Sequence, residues 1–244
     1  MKYRLMVLIA AFVFWAGIVF AGTDKSWSGS GEAGLLTTTG NSETRTVNAK
    51  AGLKYEDGRL LSALDLAAVY SSEETEVDGK KEDRTSAEKY NAAAKIGYKF
   101  SNRDYIFVNA AYEDDRFSGY DYRSDYAAGY GRKIINTDKV KFNLEAGPGY
   151  RYDKRRDGGR ENETVFRGYA LFDYQFSEQT GFRQELTILA GPDNTGTKSV
   201  TALKSQVVGA LSMKVSYTVD HDSHVPEGTK HTDTETALTL VYDF

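Results

Sequence analysis

The sequence predicts an all-β chain: a transmembrane, antiparallel, up-and-down β-barrel of about twelve strands that follows a cleaved signal peptide. Three observations predict it. Residues 1–21 have the layout of an export signal, and the rest of the chain is a succession of strand-length segments in which apolar and polar residues alternate. The connections between those segments alternate between short and long, as in outer-membrane barrels.

In the first segment, Lys2 and Arg4 precede an apolar run from Leu5 to Phe20, and Val19 and Ala21 put small residues at positions −3 and −1 of a cut. Cleavage is expected after Ala21, dividing the chain into a signal peptide (1–21) and an outer-membrane barrel (22–244). The run is shorter than the roughly 20 residues that span a bilayer as a helix, which argues against a retained anchor. Without Lys2 and Arg4, the 31 basic residues fall to 29 against 35 acidic ones, a net charge of −6. No clustered basic face suggests a nucleic-acid partner. With no cysteine there is no disulfide framework, no thiolate chemistry and no lipoprotein anchor. The mean hydropathy of −0.52 fits a soluble protein and also a barrel, in which each lipid-facing residue alternates with a polar lumen residue. The 17 Tyr, 12 Phe, 23 Gly and only 3 Pro favour strands, tight turns and aromatic girdles.

Beyond residue 26 one domain is expected, opening with a Gly-rich strand from Trp27. In the second segment Val47, Ala49, Ala51, Leu53 and Tyr55 interleave with Thr46, Asn48, Lys50, Gly52 and Lys54. The third, around Leu60 to Tyr70, is apolar on both parities apart from Asp65, so its facing is open. In the fourth, Tyr90, Ala92, Ala94, Ile96 and Tyr98 interleave with Lys89, Asn91, Ala93, Lys95, Gly97 and Lys99. The seventh sets Phe142, Leu144, Ala146, Tyr150 and Tyr152 against Lys141, Asn143, Glu145 and Arg151; Pro148 between two glycines suggests a bulge or bend there. The eighth sets Phe166, Ala170, Phe172 and Tyr174 against Arg167, Asp173 and Gln175. The tenth, near Val200 to Gly209, is ambiguous. The last sets Leu238, Leu240, Tyr242 and Phe244 against Thr239, Val241 and Asp243. Period two means one apolar and one polar face per strand.

Short connections are expected at Asp57-Gly58, Ser101 to Arg103, Asn136 to Lys139, Ser177 to Thr180 and Ala210 to Ser212. Long ones are expected at Ser71 to Thr85, Asp114 to Ser124, Asp153 to Asn162, Pro192 to Lys198 and Asp220 to His231, facing outward from the cell. The connection at Thr38 to Glu43 belongs to the outer series by order yet is brief. The Ser71 to Thr85 connection, dense in Glu, Asp and Lys, is expected to fold over the outer mouth. A soluble secreted β-sandwich is the competing fold, since its strands also carry one apolar face. The alternating loop lengths and the final Leu240, Tyr242, Phe244 pattern, similar to the insertion signal of outer-membrane barrels, weigh against it.

Three stretches carry a family resemblance. Trp27 to Ser42, Glu145-Ala-Gly147-Pro148-Gly149-Tyr150-Arg151 and Leu240-Val-Tyr242-Asp-Phe244 resemble the opening, central motif and ending of the salt-induced outer-membrane proteins, the YdiY-like family built on a domain of unknown function. The resemblance covers essentially the whole exported chain. It implies an outer-membrane location and an osmotic-stress connection, and carries no catalytic residue across.

Gly29-Ser-Gly31-Glu-Ala-Gly34 matches the spacing of a dinucleotide fingerprint, but no helix opening follows, and glycines that let a strand bend are the better account. His221, His224 and His231 share one outer connection with Asp220, Asp222 and Asp233; they are the weak candidates for a metal, against the plainer reading of a polar loop. Ser223 beside His221 is the cheapest nucleophile, yet a mobile loop lacks the rigid placement catalysis needs, so no enzyme and no cofactor are expected. The remaining candidate site is the lumen. Lys50, Lys54, Lys89, Lys95, Lys99, Lys141, Glu145, Arg151, Arg167 and Asp173 are expected to face it, with Asp65, Glu113, Asp125, Arg183, Glu185, Lys214, Glu235 and Asp243. Both signs mix, which favours paired charges filling the interior over a single-sign selectivity track. The expected function is an integral outer-membrane barrel with a narrow or closed lumen, structural or stress-related; a passive channel for small solutes is the alternative. The expected partners are membrane lipid, lipopolysaccharide and, during insertion, the barrel assembly machinery.

Overall fold

The computed structural model describes residues 26–38, 43–77 and 80–244. The proposed signal peptide and its cut lie outside the described residues. Twelve strands follow in order: β1 Trp27–Thr38, β2 Glu43–Asp57, β3 Leu60–Val77, β4 Lys80–Lys99, β5 Asp104–Asp115 and β6 Tyr120–Asn136. They continue with β7 Val140–Arg155, β8 Arg160–Gln175, β9 Thr180–Ala190, β10 Thr195–Val208, β11 Leu211–Asp222 and β12 Thr232–Asp243. Each pairs antiparallel with its sequence neighbours, and β12 pairs with β1 through Ser30↔Asp243 to Ala33↔Leu240, closing the ring. The β1–β12 ladder is the shortest of the ring and stops at Ala33↔Leu240; closing the sheet on itself is the condition for strands to cross hydrocarbon.

Burial in this barrel is the inverse of that in a soluble protein. Ile96, Val108, Phe166 and Leu238 are 55–57% exposed, whereas Glu145 and Arg151 are 3% exposed. Apolar side chains cover the outside and charges fill the inside, which fits a lipid surround and not a β-sandwich. Aromatic rings gather outside at the end of the barrel that carries the turns 58–59, 100–103, 137–139, 176–179 and 209–210, here the lower end. Trp27 meets Tyr55, Phe142 meets Phe172, Phe172 meets Phe182, and Tyr242 meets Phe244, with ring centroids 4.8–6.5 Å apart. At the upper end, Tyr112, Tyr122 and Tyr152 stack across β5, β6 and β7 at 5.8 and 6.0 Å.

The structure corrects the expected loop lengths. Most of the predicted long loop Ser71 to Thr85 is a continuation of β3 and β4, whose ladder runs through Glu73↔Arg84 to Val77↔Lys80. Alternating polar residues of both signs satisfy a two-stranded ladder in water as well as they satisfy a loop, so charge density alone did not distinguish the two. The upper connections 116–119, 156–159 and 191–194 are likewise as short as the lower ones, and among the described connections only 223–231 is long. The bulge expected at Pro148 is also absent. The register is the same on both sides of it, through Tyr130↔Ala146 and Ala127↔Gly149, and the β6–β7 shifts fall at Tyr120/Tyr122 and Lys133/Ile135. The flanking glycine allows close approach instead: a Cβ on Gly147 would lie 2.1 Å from the Ala128 carbonyl oxygen.

The two open facings are resolved by register. Asp65 lies opposite Gly52 and Ala93, so β3 presents Asp65 inward. On β10, Lys198, Val200, Ala202 and Lys204 share the inner parity, while Thr197, Ser199 and Thr201 face outward. There Thr201 donates to Gln184 Oε1 (2.6 Å) and Gln184 Nε2 donates to Ser199 (2.9 Å), so these polar groups satisfy one another on the apolar surface.

Candidate functional site in the lumen and upper mouth

The register places Lys50, Lys54, Lys89, Lys95, Lys99, Lys141, Glu145, Arg151, Arg167 and Asp173 on the inner face. They fall into two clusters and a remainder. At mid-height, Glu145 of β7 accepts hydrogen bonds from Lys95 Nζ (2.6 Å), Tyr105 hydroxyl (2.8 Å) and Arg167 Nη1 (2.9 Å). Lys95 belongs to β4, so this bond passes over β5 and β6. Room for it comes from glycine: a Cβ on Gly131 of β6 would meet the Tyr105 ring at 2.3 Å. The Arg167 guanidinium lies 5.3 Å from the Phe107 ring centre and 5.1 Å from that of Tyr169. Tyr105, Phe107 and Tyr169 were not anticipated as lumen residues. A signal was present in the glycines of β6 and β7, whose bare inner wall calls for large side chains from neighbouring strands.

The second cluster crosses the upper mouth. Arg123 of β6 binds Asp222 of β11 at 2.7 Å and Asp153 of β7 at 3.2 Å. Strands β6 and β11 stand five positions apart in a ring of twelve, so the pair spans close to a diameter. Lys198 of β10 similarly approaches Glu113 of β5 at 3.9 Å. Around this strap, Lys89 binds Glu113 (2.8 Å), and Arg151 binds Asp125 (3.2 Å) and Glu163 (3.3 Å). The connection 223–231 lies above it, anchored where Asn194 accepts from the Ser223 hydroxyl and the His224 amide and donates to Asp222. Its other side reaches the β5–β6 turn: a Cβ on Gly119, at φ +82°, would stand in tight contact with Pro226 Cγ at 3.1 Å. This connection therefore lies over the mouth. A cavity of about 250 Å³ remains beneath it, lined by Lys89, Asp115, Tyr120, Asp220 and Asp233 among others.

Further ion pairs line the lower half. Asp173 pairs with Arg183 (2.6 Å), Lys99 and Lys133 share Glu56, Lys204 binds Asp243 (2.9 Å), and Lys214 binds Glu32. The Arg183 fork reaches both Asp173 oxygens.

The histidines do not converge. His221 Nδ1 meets the Thr232 hydroxyl (2.8 Å), His231 Nδ1 donates to the Asp222 carbonyl (2.9 Å), and the two rings lie 6.4 Å apart. Among the described residues, no group of three or more His, Cys, Asp or Glu is placed to hold a metal ion. Ser223 is hydrogen-bonded to Asn194 and to the Thr195 amide (2.8 Å), not to an imidazole. The glycine motif Gly29 to Gly34 lies wholly within β1, without the helix that a nucleotide site requires.

A family model described as "Protein of unknown function, DUF481" matches residues 31–244. The chain belongs to this family. The DUF481 chain is 30% identical over 223 residues to the uncharacterized protein YdiY of Escherichia coli (strain K12), covering 91% of this chain and 85% of that protein. In fold it is similar to the COG4313 outer membrane channel from Pseudomonas putida F1, with a TM-score of 0.52 at 12% identity, over 89% of this chain and 95% of that one. It is also similar to the NanC porin, with a TM-score of 0.50 at 10% identity, over 88% and 98%. The likeness shows a barrel of the outer-membrane channel and porin type.

Proposed function

We propose that this chain is an exported, integral outer-membrane barrel whose lumen is obstructed at mid-height and again at the upper mouth, so that it serves a structural or stress-related role and passes little solute. The Arg123–Asp222 bond carries the reading, since an ion pair near the diameter occupies the path a solute would take. Charges of both signs, mostly paired, leave a weak net field along the axis and little ion preference. A barrel that adds no leak suits the salt-stress connection implied by the family resemblance.

The test is single-channel recording of the refolded protein in planar bilayers. Conductance should be small or absent in the native chain and should rise in Arg123→Ala/Asp222→Ala. Large, stable, strongly selective steps from the native protein would overturn the reading. A second reading, a passive channel for small solutes, draws on one observation. Opposite the aromatic cluster the inner wall includes a patch of small residues, Ala202, Ser216, Ala237 and Thr239 on β10–β12, with Lys198, Lys204 and Lys214 around it.

A further inference from the structure

The outer surface carries one feature that the lumen does not explain. On β7 and β8, just above the tyrosine stack, two cations stand directly opposite each other: Lys154 and Arg160 are register partners. They share the outward parity of Tyr152 and its partner Asn162, and the Lys154 ammonium sits 6.0 Å from the Tyr122 ring centre. Like charges directly opposed across a ladder are destabilising unless an anion answers them. Asp121 answers Lys154 at 3.0 Å, but among the described residues no carboxylate pairs with the exposed Arg160. On the nearby β4–β5 rim the residues of outward parity at the corresponding edge are acidic, Asp114 and Glu88, and Glu88 is answered by Arg116 at 3.1 Å.

Height selects the occupant. Interfacial aromatic side chains mark the headgroup level of a membrane. Lys154 lies two residues beyond Tyr152; at roughly 3.3 Å per residue and a strand tilt of about 40°, its Cα stands about 5 Å farther from the hydrocarbon. That is where lipid phosphates lie, with acyl chains running down over the tyrosines. A free anion would gain only the two charges, whereas an acylated one gains both charge and apolar contact. We infer that Lys154 and Arg160, with the Asn162 amide two residues nearer the hydrocarbon and the ring of Tyr122, the register partner of Lys154, beside them, form a binding site for a phosphate of lipid A in the outer leaflet. The inference rests on the outer-membrane reading with this end facing outward.

Refolded protein in detergent is titrated with diphosphoryl lipid A, with the same lipid A stripped of phosphate, with phosphatidylglycerol and with inorganic phosphate, and bound lipid is counted by native mass spectrometry. Diphosphoryl lipid A should bind best, and Lys154→Ala/Arg160→Ala should weaken it by about tenfold or more, the scale of losing charge-assisted hydrogen bonds. Lys139→Ala is the control, because Lys139 also lies over an outward ring, Tyr174 at 5.6 Å, but at the lower end; it should change nothing. Heat-modifiable migration of each variant shows that the barrel is intact, and vesicle insertion of the native protein tests the membrane reading separately. Equal binding of dephosphorylated lipid A, of phosphatidylglycerol or of inorganic phosphate would overturn the inference, as would an unchanged double variant.

Discussion

Glu145 is the charge on which the mid-height cluster depends, and Glu145→Ala measures that dependence. The carboxylate accepts from Lys95, Tyr105 and Arg167, and its side chain is 1% exposed. Removing one partner of a buried ion pair costs about 3–5 kcal/mol, because the other charge is left uncompensated. Here the cost is reduced, since Lys95 is 29% exposed and its ammonium can turn into lumen water. Arg167, at 9%, cannot do so as readily, although it keeps its contacts with Phe107 and Tyr169. The expected loss is therefore about 2–3 kcal/mol, from the buried Arg167 and the unmet Tyr105 hydroxyl. Urea unfolding of the protein in lipid vesicles, followed by tryptophan fluorescence, reads this as a lower midpoint at constant slope. Glu145→Leu/Arg167→Met should recover most of it, because the apolar pair leaves no buried charge orphaned and the partly exposed Lys95 turns to lumen water. A single variant within about 0.5 kcal/mol of native, the range of an ordinary surface change, would refute the reasoning. So would a double variant less stable than the single.

The strand parity is tested by Ala94→Arg, which faces outward, against Ala93→Arg, which lies opposite Asp65 and Ala111 on the inner face. The first should cost about 2–4 kcal/mol in refolding into vesicles and the second close to nothing; equal effects would mean that the facing is wrong. Phe244 exchanges backbone hydrogen bonds with Gly29 at the β1–β12 seam and stacks near Tyr242. Phe244→Asp should remove the protein from the outer-membrane fraction, and normal levels of heat-modifiable protein would contradict an insertion role for this strand.

What could be read from the sequence, and what could not, follows from the range of each interaction. A lipid surround acts on every residue separately, so Ile96, Tyr98, Leu238 and Leu240 announce their outward side by period two alone. Where the local chemistry is ambivalent the pattern falls silent. In Tyr105-Ile-Phe107-Val108 both parities are apolar, and only the glycines of strands β6 and β7 decide that Tyr105 and Phe107 point inward. On β10 the ordinary pattern is reversed, with Val200 and Ala202 inside and Thr201 outside, because Gln184 on β9 supplies the hydrogen bonds that Thr201 would lack in hydrocarbon. Cross-lumen bonds are harder still. Arg123 and Asp222 are 99 residues apart and become partners only once the ring closes. The alternation of either strand says that a charge faces inward, but not that it reaches the far wall. Whether a barrel conducts depends on such chords more than on the sum of its charges, so the two function readings, indistinguishable in composition, separate at a single pair. If Arg123→Ala alone, which frees both Asp222 and Asp153, leaves the conductance as low as in the native chain, the obstruction lies lower, at Glu145, and the strap at the mouth is structural.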